Sequence, residues 1–286
     1  VIRLLQLSDL HFHDRPNRIG LPDSLVAFTE AQSYVERLKI LREAGVVGSD
    51  QTDVAASAAA FVKANPVDMV IVTGDVATTG TWQDLAIAWN WLHALGVPWI
   101  ALPGNHDRFK SEVDLFPPGN PQFDYTFPTW SARQGVQVMF QRDNVTVIGA
   151  DFTLQAGDYG EGPFGHLGQG RVRQELVDEL VRQSDLGTFA IVIWAIHFEP
   201  DAGDAALALL DDDLLIAECT NEPTAIICGH THKASRVKTF SGIPVLCCGT
   251  TLQESQYGNW INILEIDDKV VQRRFKYDGT AFVEQA

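Results

Sequence analysis

The chain contains few cysteines and no framework that would use them. Cys219, Cys228, Cys247 and Cys248 are its only four, and their spacing suits neither a disulfide scaffold nor a zinc knot. Cys228, Cys247 and Cys248 lie inside apolar runs, which predicts small buried residues in a reducing compartment. Positive charge is also scarce. Lysine and arginine number 21 against 37 acidic residues, a formal net charge of −16 over 286 residues. Such a surface repels nucleic-acid backbone and anionic lipid at long range, so neither nucleic acid nor membrane is an expected partner. A small anionic substrate is not excluded, because bound cations reverse the local field. No apolar run approaches the roughly 18 residues of a membrane span, and residues 1–5 carry no basic leader with a cleavage site. A cytoplasmic location is the expectation. No GKS/T or GxGxxG phosphate-binding loop opens the helix that follows the glycine-rich residues 151–170, and repeats, low-complexity tracts and linkers are missing. One domain over residues 1–286 is therefore expected.

Against these absences stands an ordinary globular composition, 45% hydrophobic and 20% charged. Residues 2–7, 67–72 and 97–103 read as buried strands, alternating with helices predicted after Gln51 and from Thr81 to Leu95, the latter opened by a capping box from Thr81 to Asp84. An earlier helix carrying Leu25, Phe28, Val35, Leu38 and Leu41 makes residues 14–52 a large insertion for a connection between strands. Further strands are predicted at 136–140, 145–150, 189–196 and 224–228, with a helix at 171–183 and another after Asp204. The runs 243–248, 259–266 and 270–277 follow without helices between them, which predicts an antiparallel finish to a mixed sheet. Alternation of strand and helix places the chain in the α/β class. Two stretches break the pattern. Residues 108–135 are rich in aromatics and proline, suiting either a substrate wall or a loop packed on the core; the glycine-rich residues 151–170, with His166, suit a pocket mouth or a plain connector.

Chemistry gathers where the strands run out. The first is followed by Asp9 and His11, the second by Asp75, the third by Gly104, Asn105, His106 and Asp107, and two later ones by His197 and by Gly229, His230 and His232. Open α/β sheets place ligands at the carboxyl ends of strands. Taken singly, each is an unremarkable polar loop. Five apolar strands each ending in metal-competent groups, using five of the chain's 8 histidines, make a set that chance does not supply. The donors exceed what one tetrahedral ion uses, so two ions are the economical reading, and imidazole with carboxylate and carboxamide suits iron, manganese or zinc. Two ions roughly 3.5–4 Å apart, bridged by a carboxylate, serve hydrolytic phosphoryl chemistry.

In order and content, these five blocks resemble the calcineurin-like metallophosphoesterase family. The Leu7–Ser8–Asp9–Leu10–His11 and Leu102–Pro103–Gly104–Asn105–His106–Asp107 blocks are similar to its bacterial cyclic-nucleotide and glycerophosphodiester phosphodiesterase branch. The resemblance implies a four-layer α/β/β/α sandwich with two mixed β-sheets. It implies that Asp9, His11 and His232 hold one transition-metal ion, that Asn105, His197 and His230 hold a second, and that Asp75 bridges them. His106 would contact the phosphate and protonate the leaving group, with Asp107 orienting it. The implied activity is hydrolysis of small phosphodiesters, cyclic nucleotides among them, by in-line attack of a hydroxide between the metals. A phosphomonoesterase is the alternative, ahead of a repair-type nuclease or a scaffold without catalysis. The insertion at 14–52, the 108–135 loop and His13 depart from the branch; His13 is read as a surface residue rather than a substrate contact.

Overall fold

The computed structural model describes residues 1–13, 51–109, 121–130, 135–155, 158, 168–218, 223–235, 238–240, 242–253 and 255–285. The expected helix at 25–41, His166 and Cys219 lie outside them. The elements run β1 (Ile2–Leu7), α1 (Gln51–Ala64), β2 (Met69–Thr73), α2 (Trp82–Ala94), β3 (Trp99–Leu102), α3 (Gln122–Thr126), β4 (Val136–Arg142), β5 (Val145–Ala150), β6 (Gly170–Arg171), α4 (Gln174–Asp185), β7 (Ile191–Ala195), β8 (Leu209–Leu210), α5 (Asp213–Glu218), β9 (Ala225–Cys228), β10 (Lys238–Phe240), β11 (Ile243–Cys247), β12 (Trp260–Ile266), β13 (Val270–Tyr277) and β14 (Phe282–Gln285).

Two six-stranded sheets result, ordered β14-β13-β12-β1-β2-β3 and β10-β11-β9-β7-β5-β4. In the first, β1, β2 and β3 are parallel and β12 joins β1 antiparallel. In the second, β5, β7, β9 and β11 are parallel, with antiparallel partners β4 and β10 at the edges. Side chains alternate across each strand, and the two cores follow that alternation. Ile191, Ile193 and Ala195 of β7 face the first sheet and pack in one core with Leu4, Leu5 and Leu7; Val192 and Trp194 face outward and pack with Leu176, Val177 and Leu180 of α4. Ala58, Phe61, Val62, Leu85, Ala88 and Leu92 of α1 and α2 cover the outer face of the first sheet. The layers are therefore helix, sheet, sheet, helix, as the resemblance implied. Among the described residues no helix is long and apolar enough to cross a membrane.

One polar group ties the sheets together beneath the rim. Gln6 of β1 is fully buried, donates to the carbonyls of Cys228 at 2.9 Å and Leu246 at 3.3 Å, and accepts from Asn262 Nδ2 at 3.0 Å. A buried amide is costly unless paired, so this bonding fixes the relative register of β1, β9, β11 and β12.

Three expectations are corrected. Residues 243–248 do not continue into β12 and β13: β11 joins the second sheet beside β9, while β12 to β14 complete the first. Hydrophobic periodicity locates a strand without naming the sheet it enters. The helix expected after Asp204 is a 3₁₀ turn at 205–207, with a short α5 following it. Thr81 makes no side-chain cap on α2; the Asp84 carboxylate instead accepts from Thr79 N at 3.1 Å and Thr79 Oγ1 at 2.7 Å.

Candidate metal centre

The parallel strands of both sheets end on one rim. From the first sheet come Asp9 and His11 after β1, Asp75 after β2, and Asn105 and His106 after β3; from the second come His197 after β7 and His230 and His232 after β9. Strand pairing continues into the rim, since Asp9 N donates to Gly74 O at 3.1 Å and His11 N to Asp75 O at 3.0 Å. The first two blocks are thus locked in register with each other.

The backbone there is strained in a consistent way. Asp9, His11, Asp75, His230 and His232 all have positive φ, at 51°, 49°, 51°, 73° and 57°. L-residues occupy that region at a cost of about 1–2 kcal/mol each, and such strain concentrates at functional sites. Glycines preceding Asp75 and His230 remove side chains where none fits. A Cβ on Gly74 would fall on the His197 ring, and one on Gly229 would fall on Ser8 Oγ and within 2.5 Å of Asp9 Oδ2.

The side chains meet in overlapping groups. Asp9, His11 and His232 offer ligand atoms all within 4.8 Å of one another, as do Asp75, His197 and His230. The first is the set that the resemblance gives to one ion; the second joins His197 and His230, which it gives to the other ion with Asn105, to Asp75, which it makes the bridge. Asn105 Oδ1 lies 3.1 Å from His197 Nε2, which places it on the second set. Asp75 faces both, its Oδ2 standing 3.6 Å from His11 Nε2 and 3.3 Å from His197 Nε2. His106 forms a third group with His11 and Asp75.

Protonation in this pocket favours ligation. Burial would push Asp9 up, yet the hydrogen bond and charge of His232 outweigh it and hold Asp9 at about 2. Burial likewise opposes the ionised form of Asp75, but the charges of His197 and His106 hold it well below the ordinary carboxylate value. Burial pushes His11 and His230 down to about 3, leaving both imidazoles neutral. For His197, burial is overcome by Asp75, which lifts it to about 9. Ionised carboxylates and neutral imidazoles are the forms that bind metal, and a proton on His197 is the one a cation displaces. One atom points to what is meant to sit here: His230 Nε2 is buried without a hydrogen-bond partner. The donor set fits two transition-metal ions.

Carbonyls outside the motifs orient the rings. His197 Nδ1 donates to Thr73 O at 2.8 Å, and His106 Nδ1 donates to Thr78 O at 2.8 Å, which leaves Nε2 of each ring facing the centre. The expected role of Asp107 changes accordingly. Its carboxylate accepts from the backbone N–H groups of Gly104 at 2.9 Å, Ala77 at 3.0 Å and Val76 at 3.2 Å. Asp107 thus holds the β2 and β3 loops together, and Thr78 orients His106. His13 does not face solvent; its Nδ1 meets Asp84 Oδ1 at 3.0 Å. Of the described aromatics of the 108–135 loop, Phe123, Phe127 and Trp130 pack in the core, Phe109 is buried against the His106 ring with centroids 4.8 Å apart, and Tyr125 is exposed. Sequence reading missed Arg108, whose guanidinium reaches Asp124 Oδ2 at 2.9 Å and Asp151 Oδ2 at 2.5 Å, tying the turn after His106 to the end of β5. Its position immediately after a functional block was the only signal.

Solved structures share this architecture at low identity. A dimetal phosphatase from Danio rerio is 12% identical, covers 99% of this chain and 98% of its own, and superposes with a TM-score of 0.59. GAP50, described as the anchor in the inner membrane complex of Plasmodium, is 11% identical over 99% of this chain and 86% of its own, with a TM-score of 0.54. Purple acid phosphatase PPD1 from yellow lupin (Lupinus luteus) is 11% identical over 99% of this chain and 52% of its own, with a TM-score of 0.56. No curated protein matches the chain. The family model for calcineurin-like phosphoesterases matches residues 2–234, which includes every strand end carrying a ligand, and the chain belongs to that family.

Proposed function

We propose that the protein is a dinuclear-metal phosphodiesterase acting on small phosphodiesters. One observation carries the reading: a single buried carboxylate, Asp75, stands between two three-residue ligand groups drawn from both sheets. Asp9, His11 and His232 would hold one ion, Asn105, His197 and His230 the other, and Asp75 would be shared. Such ions, when bound, ionise water near neutral pH and offset negative charge on the phosphoryl oxygens. The chain itself does the positioning. Asp75 Oδ1 accepts from His106 N at 2.9 Å, so the bridging carboxylate and the His106 backbone move as one unit. With Nδ1 fixed on Thr78 O, His106 presents Nε2 to the leaving oxygen and delivers a proton there as the ester bond breaks. The attacking oxygen comes from water, so no serine or cysteine nucleophile is needed; Cys228, Cys247 and Cys248 are buried among apolar strands.

The diester preference rests on the likeness of the two blocks at Leu7–His11 and Leu102–Asp107 to the phosphodiesterase branch. It is tested by hydrolysis of bis(p-nitrophenyl) phosphate beside p-nitrophenyl phosphate, with chelated and manganese-reconstituted protein. Chelator-sensitive preference for the diester supports the reading. Preference for the monoester makes the protein a phosphatase, and silence on both with two ions bound makes it a non-catalytic member of the fold.

A further inference from the structure

Beside the metal centre, on the Asp9 and His232 side, the rim changes character. Lys233 directly follows the ligand His232, and its ammonium lies 5.0 Å from the centroid of the Tyr257 ring. Trp260 carries two cations on its ring, Arg274 and Lys276, each 5.4 Å from the centroid. Trp260 Nε1 donates to Tyr257 O at 2.9 Å, which joins the two aromatic residues. Gly258 lies between them, and a Cβ there would meet Lys276 Cε at 2.5 Å, so the missing side chain leaves room for the Lys276 stem. The whole feature is bonded to the ligand loop. Trp260 N donates to Thr250 O at 2.8 Å, and Thr250 Oγ1 donates to Asp9 O at 2.8 Å.

Charge makes this arrangement unusual for the chain. With a net charge of −16, lysines have carboxylates to choose from, yet neither Lys233 nor Lys276 pairs with a carboxylate among the described residues. Both are instead braced on rings, which fix a cation's position while leaving its N–H groups available. Glu199, two residues after His197, accepts Thr231 Oγ1 at 2.6 Å. Position sets the distance. β13 lies two strands from β1, with Lys276 opposite Trp260 in register, so Lys276 stands roughly 10 Å from the end of β1, at about 4.8 Å per strand.

We propose that Lys233 and Lys276, braced on Tyr257 and Trp260, form a second anion subsite that binds a further negatively charged group of the substrate, a phosphate or carboxylate on the Asp9 and His232 side of the scissile phosphoryl. The proposal rests on the phosphoesterase reading and narrows it: the substrate is a phosphodiester with two separated anionic centres. A simple 3′,5′-cyclic nucleotide, with its single phosphate, leaves the subsite empty.

The test uses the manganese-loaded full chain and two p-nitrophenyl phosphodiesters whose second arm ends in a carboxylate or in the isosteric carboxamide. The readout is the ratio of kcat/KM for the charged over the neutral arm, in the wild type and in Lys233→Gln, Lys276→Gln and the double variant. Metal content confirms that each variant is folded. The expected ratio is about tenfold or more in the wild type, the worth of one charge-assisted contact. It falls toward unity in the double variant and, for the wild type, as salt rises. Hydrolysis of both esters with a ratio near one, or a ratio the double variant retains, overturns the subsite and leaves the phosphoesterase intact. Hydrolysis of neither overturns both.

Discussion

Gly229→Ala adds one methyl group, and the structure sets its cost. The new Cβ would fall on Ser8 Oγ and 2.5 Å from Asp9 Oδ2. Neither neighbour has room to yield. Ser8 and Asp9 are both fully buried; Ser8 Oγ donates to Thr73 O at 3.2 Å, and Asp9 Oδ2 accepts from His230 N at 3.0 Å. Forcing a methyl into a packed site costs about 1–3 kcal/mol, and each displaced hydrogen bond adds about 1 kcal/mol, so the total is about 3–5 kcal/mol. At an unfolding entropy of about 2.1 cal/mol/K per residue, that loss lowers Tm by roughly 5–8 °C. Function suffers separately, because the displaced carboxylate is a proposed ligand. Differential scanning fluorimetry on the metal-free variant, followed by elemental analysis after reconstitution, reads both effects. The expected result is the lower Tm together with loss of the ion held by Asp9, His11 and His232. A variant with wild-type Tm and a full metal complement would refute the argument that glycine here is a steric requirement of the site.

Arg108→Met removes a buried guanidinium and leaves Asp151 facing no cation; with Asp124 partly exposed, a loss of about 2–4 kcal/mol is expected in urea unfolding, and Arg108→Met with Asp151→Asn should recover part of it. His106→Gln should keep both ions and lower kcat by about 10²–10⁴, most for poor leaving groups; metal loss in that variant would make His106 a ligand instead. Acid should destabilise the metal-free protein between pH 6.5 and pH 3. His11 and His230 are held at about 3 in the folded state against 6.5 when unfolded, so the unfolded chain binds more protons in this window and stability falls with pH. His197, at about 9, is already charged there and adds no slope below 6.5. A Tm that rises or stays flat on acidification would contradict the buried neutral rings.

The site was more legible in the sequence than the fold around it. Each ligand follows an apolar run, and Asp75, Asn105 and His230 stand directly after glycine; both features act within a few residues, so Asp9, His11, Asp75, Asn105, His197, His230 and His232 could be placed from local pattern alone. Sheet membership is set over hundreds of residues: β11 looked like a neighbour of β12, yet Cys247 pairs with Cys228 while Trp260 pairs with Lys276. Short edge elements such as β10, β14 and the β6–β8 pair carry too few residues for a period to show. The roles of His13 and Asp107 depended on partners at Asp84, Val76, Ala77 and Gly104 that only the folded chain brings near. Positive φ at five ligands was invisible for a similar reason: aspartate and histidine enter that region more readily than most residues, and only the folded rim shows which of them do.

The central claim is that two ions share Asp75. Titrating chelated protein with manganese while following both bound metal and phosphodiester hydrolysis tests it directly. The account predicts that activity reaches its plateau only at two ions per chain, and that Asp75→Asn fails to retain the second ion and is inactive. Full activity at one ion per chain, or in the fully chelated protein, would contradict it.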